Sequence, residues 1–263
     1  MKISKIIIYE EPTVPEIQLE KIVKTVKEIF SVKIEMRESF FTYSNKDIFE
    51  KIARTKIFDL KKPFKEYIPT QTEIATEIAT EIATERKNKD ELYKKETALY
   101  DGFEFQKAIT ESISTNESNM DTLHVVFTNK ITCTFSEEDF RYHARPLISS
   151  NPTIISTTGM IEGPAKPKQY YLDLITNVSN QKVEEIKEKY KGEYLEYHDS
   201  RISDIAEGYV LQAVMYYETG EVFCKHRDCR LFNAHWQKDL FYSQLENKKF
   251  CEKHLKILKK LKN

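Results

Sequence analysis

The alternation of apolar and polar positions opens with a strand, a helix and a second strand. Residues 5–9 form a short continuous apolar run, which is typical of a buried strand. Residues 32–36 alternate apolar and charged side chains, as a further strand does. Between these two runs, one apolar stripe at helical spacing is formed by Leu19, Ile22, Val23, Val26, Ile29 and Phe30. This β-α-β order favours a parallel pair of strands.

Capping signals predict where this helix begins. Thr13 followed by Glu16 has the spacing of a capping box, and Pro15 suits the first turn of a helix. The first helix is therefore expected to begin close to Thr13. Residues 47–53 carry the pattern of a second helix.

The middle of the chain is rich in β-forming residues. Residues 123–127, 132–135 and 153–156 are β-rich runs that polar turns separate from one another. The following residues, 156–167, contain glycine and prolines among small polar residues, and this composition predicts an exposed loop.

The last third of the chain is predominantly helical. Residues 180–191 form a charged helical segment, and residues 204–219 form a strongly apolar one that Ser203 is expected to cap. Gly220 is a natural stop for the apolar helix. Taken with the β-rich middle, these segments predict an α/β (α+β) protein with a mixed sheet and flanking helices.

Residues 63–98 differ from their surroundings because they contain a tandem Thr-Glu-Ile-Ala repeat that begins at Thr72. A four-residue period drifts about 40° per repeat on an α-helix, so the isoleucines of the repeat stay on one side. An amphipathic helix and a disordered segment both fit this pattern. We expect an inserted surface arm that adds little stability to a single domain spanning residues 1–263.

Composition and charge narrow the classes of function. The formal net charge of −1 gives no global attraction to nucleic acid or to an anionic membrane, and the lysine-rich residues 253–262 are interpreted as a solvated helix face. No apolar run approaches the ~20 residues that span a bilayer, and no signal peptide is recognisable. Because four cysteines occur without an export signal, we expect a reducing, cytoplasmic environment.

Three of the four cysteines lie close together near the end of the sequence. Cys224 and Cys229 form a C-x4-C pair, and Cys251 with His254 forms a C-x2-H pair. Zinc takes four nitrogen or sulfur ligands in a tetrahedron, and two short loops can each deliver two of them. We therefore predict that these four residues hold a structural Zn²⁺ in a C-terminal knuckle. The remaining cysteine, Cys133, follows a strand pattern and is interpreted as a buried apolar residue.

With these motifs the chain resembles the archaemetzincins, a family of zinc metallopeptidases found in archaea and some other lineages. In that family a long helix carries HExxHxxGxxH, and a cysteine, a C-x4-C knuckle and a later C-x-x-C follow it. Cys224 and Cys229 match the first cysteine pair, and Gly220 falls on the glycine of the helix motif. Cys251 and His254 stand where the second pair is expected. The resemblance implies a zincin-like mixed sheet with flanking helices.

The chain departs from the archaemetzincin pattern at the residues that perform catalysis. The positions of the family's three histidines, its general-base glutamate and its turn methionine are occupied by Ala213, Tyr217, Phe223, Val214 and Leu231. Alanine and phenylalanine cannot bind zinc, tyrosine is a poor ligand, and valine cannot take a proton from metal-bound water. We therefore expect a metallopeptidase relative that has lost peptidase activity and keeps the structural zinc.

Other polar residues offer an alternative, which is a metal-dependent hydrolase with a rebuilt active site. His143, His198 and His235 lie in clusters rich in catalytic residue types, and Glu207 is a candidate acid. Two histidines with a carboxylate would bind a metal, and a histidine with an aspartate would form a general-base pair. Ordinary hydrogen-bonded polar residues would give the same clusters.

Three classes of function remain open from the sequence. The first is a zinc-binding protein without peptidase activity, with a peptide or protein as its ligand in the remnant cleft. The second is the rebuilt hydrolase. The third, a nucleic-acid-binding protein that uses the knuckle, is disfavoured by the balanced charge, and no membrane partner is expected. One zinc per chain would favour the first class, and two would favour the second.

Overall fold

A computed structural model describes residues 1–42, 47–60, 69–86, 98–177 and 180–262. The chain divides into two compact units, each built from separate stretches of sequence. The sheet unit consists of residues 2–15 and 33–159, and the helical unit consists of residue 1 with residues 16–32 and 160–263.

Strands are concentrated in the sheet unit. They are β1 (Lys5–Tyr9), β2 (Lys33–Arg37), β3 (Leu99–Asp101), β4 (Thr122–Thr128), β5 (Ile131–Ser136), β6 (Arg141–Arg145), β7 (Leu147–Ile148) and β8 (Thr153–Ser156). Helices occur in both units. They are α1 (Leu19–Phe30), α2 (Asp47–Arg54), α3 (Gln71–Arg86), α4 (Gly102–Thr110), α5 (Thr157–Glu162), α6 (Lys168–Thr176), α7 (Asn180–Lys189), α8 (Ile202–Thr219), α9 (Gln237–Phe241) and α10 (Glu252–Lys262).

A five-stranded sheet in the order β2-β1-β4-β8-β7 forms the centre of the sheet unit. Strands β2, β1, β4 and β8 are parallel, and β7 runs antiparallel to β8. The predicted parallel pair is confirmed, because Lys5 lies opposite Lys33 and the register continues to Tyr9 and Arg37. A second sheet, in the order β3-β5-β6, has one parallel and one antiparallel pair. The predicted mixed α/β architecture is thus confirmed.

The repeat segment forms α3, so the helical alternative is the one observed. Thr70 and Glu73 make a capping box in which the Thr70 hydroxyl donates to the Glu73 carboxylate and accepts from the Glu73 N–H. Ile74 is only 4% exposed, and Ile78 packs against the core of the sheet unit. This part of the helix therefore packs within the sheet unit, while the expectation that the arm adds little stability stays a prediction. The rest of the predicted insertion, residues 63–68 and 87–97, lies outside the described residues.

The predicted start of α1 is wrong, because both residues of the proposed capping box bind elsewhere. Thr13 donates to the Glu11 carboxylate through its N–H and its hydroxyl. Glu16 contacts His198, which lies far away in sequence. Helix α1 begins only at Leu19, after the N-cap residue Gln18. Glu11 lies two residues before Thr13, outside the capping-box spacing, and His198 is distant in sequence, so the capping-box motif revealed neither partner.

The predicted exposed loop over residues 156–167 begins instead with a buried helix, α5. The Ser156 hydroxyl accepts from the N–H of Gly159 at 2.8 Å and so satisfies the first turn. Thr157 and Met160 are almost fully buried. A Cβ at Gly159 would lie 2.5 Å from the carbonyl oxygen of Arg145, so glycine is needed for this close approach. The small polar residues at the start of this segment therefore pack tightly in the interior and are not exposed to solvent.

Helix α8 is the central element of the helical unit. It is buried almost all round from Ile202 to Met215, as an apolar segment without a polar face should be. Ser203 does not cap it; the residue lies within the helix, and its hydroxyl accepts from the N–H of Gln18 at the start of α1. The helix ends as predicted at Gly220, which has a φ of 78°.

Within the residues that the structure describes, no helix is both long enough and apolar enough to cross a bilayer.

Candidate metal centre

Two short loops of the helical unit bring Cys224, Cys229, Cys251 and His254 together. In the first loop, Cys224 N–H donates to the carbonyl of Leu231 at 2.7 Å and the Cys224 carbonyl accepts from Asn233 N–H at 3.2 Å. This pairing folds the segment back on itself and holds Cys229 near its tip. The second loop ends at α10, whose first turn carries His254.

The four donor atoms have the spacing of a tetrahedral site. All lie within 4.8 Å of one another. The Sγ atoms of Cys224 and Cys251 are 3.9 Å apart, and His254 Nδ1 lies 3.5 Å from Cys229 Sγ and 3.1 Å from Cys251 Sγ. Tetrahedral zinc bonds imply edges of about 3.8 Å between sulfurs and about 3.6 Å between sulfur and nitrogen. The residues therefore fit Zn²⁺ in both chemistry and size.

Backbone groups around the cluster stabilise negative charge on the sulfurs. His226 N–H donates to Cys224 Sγ at 3.3 Å, and Cys251 N–H donates to Cys229 Sγ at 3.5 Å. Thiolates are the form in which cysteines bind metal, and hydrogen bonds to the charged form favour it. The N–H groups of the loops thus stabilise part of the negative charge that three thiolates would carry.

Burial sets the protonation of the ligands before metal arrives. It raises the pKa of the Cys224 thiol and raises the pKa of Cys229 to about 12. Burial acts in the same direction on Cys251, but hydrogen bonds from the N–H of His254 and from the other thiols bring its pKa below the usual value. Burial also lowers the pKa of His254, so its imidazole is neutral and able to bind metal near neutral pH.

The residues proposed for a rebuilt active site are each engaged separately. His143 Nε2 lies 2.9 Å from Asp139 Oδ1, and His198 Nδ1 lies 3.0 Å from Glu16 Oε1. His235 is exposed, and its Nε2 lies 3.3 Å from Asn233 Nδ2.

Glu207, the candidate acid of that site, is buried in an ion pair with Arg230. In the described part of the chain, the group of histidine, cysteine and carboxylate side chains close enough to share a metal is the Cys224 cluster. Within the described part of the helical unit, His198, Glu207 and His235 therefore do not come together as ligands of one ion. Arg230, the partner of Glu207, is a residue that sequence reasoning missed, because nothing in a local motif reveals a pairing across 23 positions.

The helix positions where archaemetzincins carry catalytic residues belong largely to the core here. Ala213 and Val214 have no exposed surface, and Leu231 is 2% exposed. Tyr217 and Phe223 are half-buried. Alanine, valine, leucine and phenylalanine side chains provide neither a donor for a metal ion nor a base for its water.

A separate cleft lies in the sheet unit and was not indicated by the sequence. Its volume is about 830 Å³, and its lining includes Tyr9, Arg37, Lys51, Glu111 and Glu117. Two ion pairs lie within the lining: Arg37 binds the Glu117 carboxylate with two nitrogens, and Lys51 lies 2.8 Å from Glu111. The cleft has the size of a small-molecule site, and these four charged groups already have partners.

Comparison with known proteins places these features in context. Residues 2–261 match a family described as "Probable metallopeptidase family (DUF6775)". This match confirms the relationship to metallopeptidases that the cysteine motif predicted. No curated protein matches the chain.

Two solved structures are similar along nearly the whole chain. A zinc-dependent peptidase from Methanocorpusculum labreanum is 11% identical with a TM-score of 0.42, and the match covers 97% of this chain and 99% of that one. Archaemetzincin from Methanopyrus kandleri is 10% identical with a TM-score of 0.40, and the match covers 99% and 96% of the two chains.

Proposed function

The chain belongs to this family of probable metallopeptidases, and we propose that it is a member without peptidase activity that holds one structural zinc. Cys224, Cys229, Cys251 and His254 are the ligands of that zinc. With three thiolates and one imidazole the tetrahedron is closed, so no position is left for a reactive water.

One observation carries this proposal: four donors converge in the knuckle, whereas apolar residues occupy the positions of α8 where the family resemblance expects a histidine and a glutamate. The knuckle offers four ligand atoms within 4.8 Å of one another. Ala213 and Val214, where the family resemblance expects a histidine and a glutamate, are fully buried apolar residues. A catalytic zinc needs three protein ligands and an open position. The chemistry of α8 supports packing, whereas that of the knuckle supports metal binding.

Metal content is the direct test of the proposal. We expect the purified protein to hold one zinc per chain by elemental analysis, and a strong chelator to lower its melting temperature. Binding of metal to the folded state alone stabilises that state by mass action. Two zinc ions per chain would contradict the proposal, and so would a melting curve that does not respond to the chelator.

Peptidase activity is tested separately. Zinc-loaded protein should cleave fluorogenic casein no faster than the protein treated with chelator. Cleavage that is lost when His143, His198 or His235 is replaced by alanine would instead support the rebuilt hydrolase.

The ligand of such a protein would be bound rather than cleaved. We expect a peptide or protein segment, because that is the kind of chain on which metallopeptidases act. An array of immobilised peptides probed with the zinc-loaded protein tests this expectation, and binding to none of the peptides would contradict it.

A further inference from the structure

The residue that follows the zinc ligand Cys229 is held by a buried ion pair. Arg230 Nη2 lies 2.6 Å from Glu207 Oε1 on α8, and each side chain is only 6% exposed. The same nitrogen also reaches the carbonyl oxygen of Asp204 at 3.4 Å. Arg230 therefore fixes the first ligand loop to the central helix of its unit.

The backbone of Arg230 connects the remaining parts of the knuckle. Its N–H donates to the carbonyl of Lys249 at 2.6 Å, and Lys249 lies two positions before the ligand Cys251. Its own carbonyl accepts from Gln244 Nε2 at 2.6 Å. Gln244 belongs to a π-helical turn, Tyr242–Asn247, which lies between the two ligand loops in the chain. One residue thus contacts α8, the second ligand loop and the segment that joins them.

Helix α8 leaves space for the Gln244 side chain at Gly208. A Cβ at Gly208, the neighbour of Glu207, would lie 1.7 Å from Gln244 Oε1. Any larger residue would push the Gln244 side chain away from the helix, because such a distance is far below van der Waals contact. Gly208 is helical, where glycine costs roughly 0.5–1 kcal/mol relative to alanine. The glycine makes room for the amide that binds Arg230.

Stability alone does not account for the cluster. A buried ion pair contributes little net stability, since desolvation of the two charges offsets their attraction. Arg230 Nε and Gln244 Oε1 are also buried without a hydrogen-bond partner among the residues that the structure describes, and such atoms cost free energy. The cluster instead fixes the position of the first ligand loop against α8, because charged hydrogen bonds are directional.

We propose that Glu207, Arg230, Gln244 and Gly208 form a positioning cluster that holds the two ligand loops in the geometry for zinc. The inference rests on the proposed zinc site and adds the residues that act on it through its ligands. Residues that orient metal ligands typically change metal affinity by about 10–100-fold when they are replaced. Glu207 accordingly acts in metal binding without touching the metal.

Two variants separate positioning from stability. Glu207→Gln removes the charge that Arg230 needs, and Glu207→Leu with Arg230→Met replaces the pair by apolar side chains of similar size. We expect both to weaken zinc binding about 10–100-fold in chelator competition, and both to alter the visible spectrum of the Co²⁺-substituted protein. Only Glu207→Gln should also lower the melting temperature of the metal-free protein, because it leaves a buried charge unpaired.

Asp199→Asn is the matched control. Asp199 pairs with Arg201 at 2.6 Å in the same unit, so the change removes the same chemical group at a site that does not contact the ligand loops. Its zinc affinity and Co²⁺ spectrum should equal those of the unchanged protein. If the apolar double variant also binds zinc like the unchanged protein, the pair is structural only and the inference is overturned.

A measurement without metal distinguishes failure of this inference from failure of the zinc site. In metal-free protein, hydrogen exchange of the amides in residues 224–233 should be faster in Glu207→Gln than in Asp199→Asn. Equal exchange would overturn the positioning role whatever the metal content. Absence of zinc from the unchanged protein, with the exchange difference present, would instead overturn only the proposed function.

Discussion

Helix α8 and the knuckle that follows it occupy neighbouring stretches of one chain, yet they differ completely in their capacity to bind metal. The helix presents Ala213 and Val214 to a core in which both are fully buried. A few residues beyond Gly220, the knuckle gathers three sulfurs and one nitrogen within 4.8 Å. One of these two regions is thus buried core, and the other is a cluster of potential metal ligands.

The difference between α8 and the knuckle distinguishes a structural role of zinc, which supports folding, from a catalytic role. A buried helix position gains stability from apolar contacts, and Ala213 and Val214 on α8 are fully buried. The two ligand loops are irregular, and they bury Cys224 and Cys229 beside Cys251 and His254. A structural metal in such loops supplies folding free energy.

Loss of one knuckle ligand should have the largest effect. Cys251→Ser replaces a thiolate by a hydroxyl, which is a far weaker zinc ligand, so we expect less than one zinc per chain by elemental analysis. Structural zinc contributes on the order of 10–16 kcal/mol of apparent binding free energy in small peptide sites. When the zinc is lost, the amides of the C-terminal loops should lose much of their protection from hydrogen exchange.

The matched control for that change is Cys133→Ala. Cys133 lies in β5, is buried, and is not a member of the cluster. This variant should keep one zinc per chain. Equal zinc content in Cys251→Ser and Cys133→Ala would show that the knuckle is not the metal site and would remove the contrast with α8.

Zinc affinity should rise steeply with pH. In the metal-free protein burial raises the pKa of Cys224 and of Cys229, the latter to about 12, so both are protonated near neutral pH and zinc must displace both protons. Each displaced proton changes the affinity about 10-fold per pH unit, so Cys224 and Cys229 together contribute about 100-fold per unit, and any proton held by Cys251 adds to this. His254 adds no proton, because burial lowers its pKa.

Chelator competition between about pH 6 and pH 8 measures this dependence, with an expected change of at least about 10⁴-fold. Calorimetry in buffers of different ionisation enthalpy counts the released protons directly. A flat profile would mean that the thiols are already ionised and that burial does not control them.

Val214→Glu tests the other side of the comparison. The glutamate would restore the general base of the family pattern, but at a position with no exposed surface. A buried carboxylate without a partner should cost on the order of 3–5 kcal/mol, measured by urea unfolding, with no gain of peptidase activity. Val214→Leu is the control for size and should cost about 1–3 kcal/mol. If Val214→Glu lowers the free energy of unfolding no more than Val214→Leu does, position 214 is open to water. The contrast between a closed α8 core and the knuckle would then be contradicted.

The knuckle could be predicted from sequence because its ligands are local. Cys224 and Cys229 are separated by four residues, and so short a loop leaves few geometries other than a metal site. The end of α8 at Gly220 was predictable for a similar reason, since a helix followed by glycine at positive φ is a local backbone preference.

Features that depend on distant partners could not be predicted. Glu16 matched a capping box with Thr13, yet it binds His198 from the other end of the chain. Glu207 was a candidate catalytic acid, and only the fold shows that Arg230 neutralises it. In both cases the side chain had a local interpretation that was chemically sound, and a long-range contact displaced it.

The smallest effect is expected at Gly220, the junction between the two regions. Its φ of 78° is one that residues with a Cβ adopt at a cost of about 1 kcal/mol, and nothing lies within 4 Å of where a Cβ would be. Gly220→Ala should therefore lower the free energy of unfolding by that amount through the backbone alone.

Gly192, with a φ of 85° and equally open surroundings, is the matched control. If α8 and the knuckle are independent, alanine at either glycine has the same cost and leaves zinc affinity unchanged. A larger loss at Gly220, accompanied by weaker zinc binding, would show that the end of the helix sets the position of Cys224.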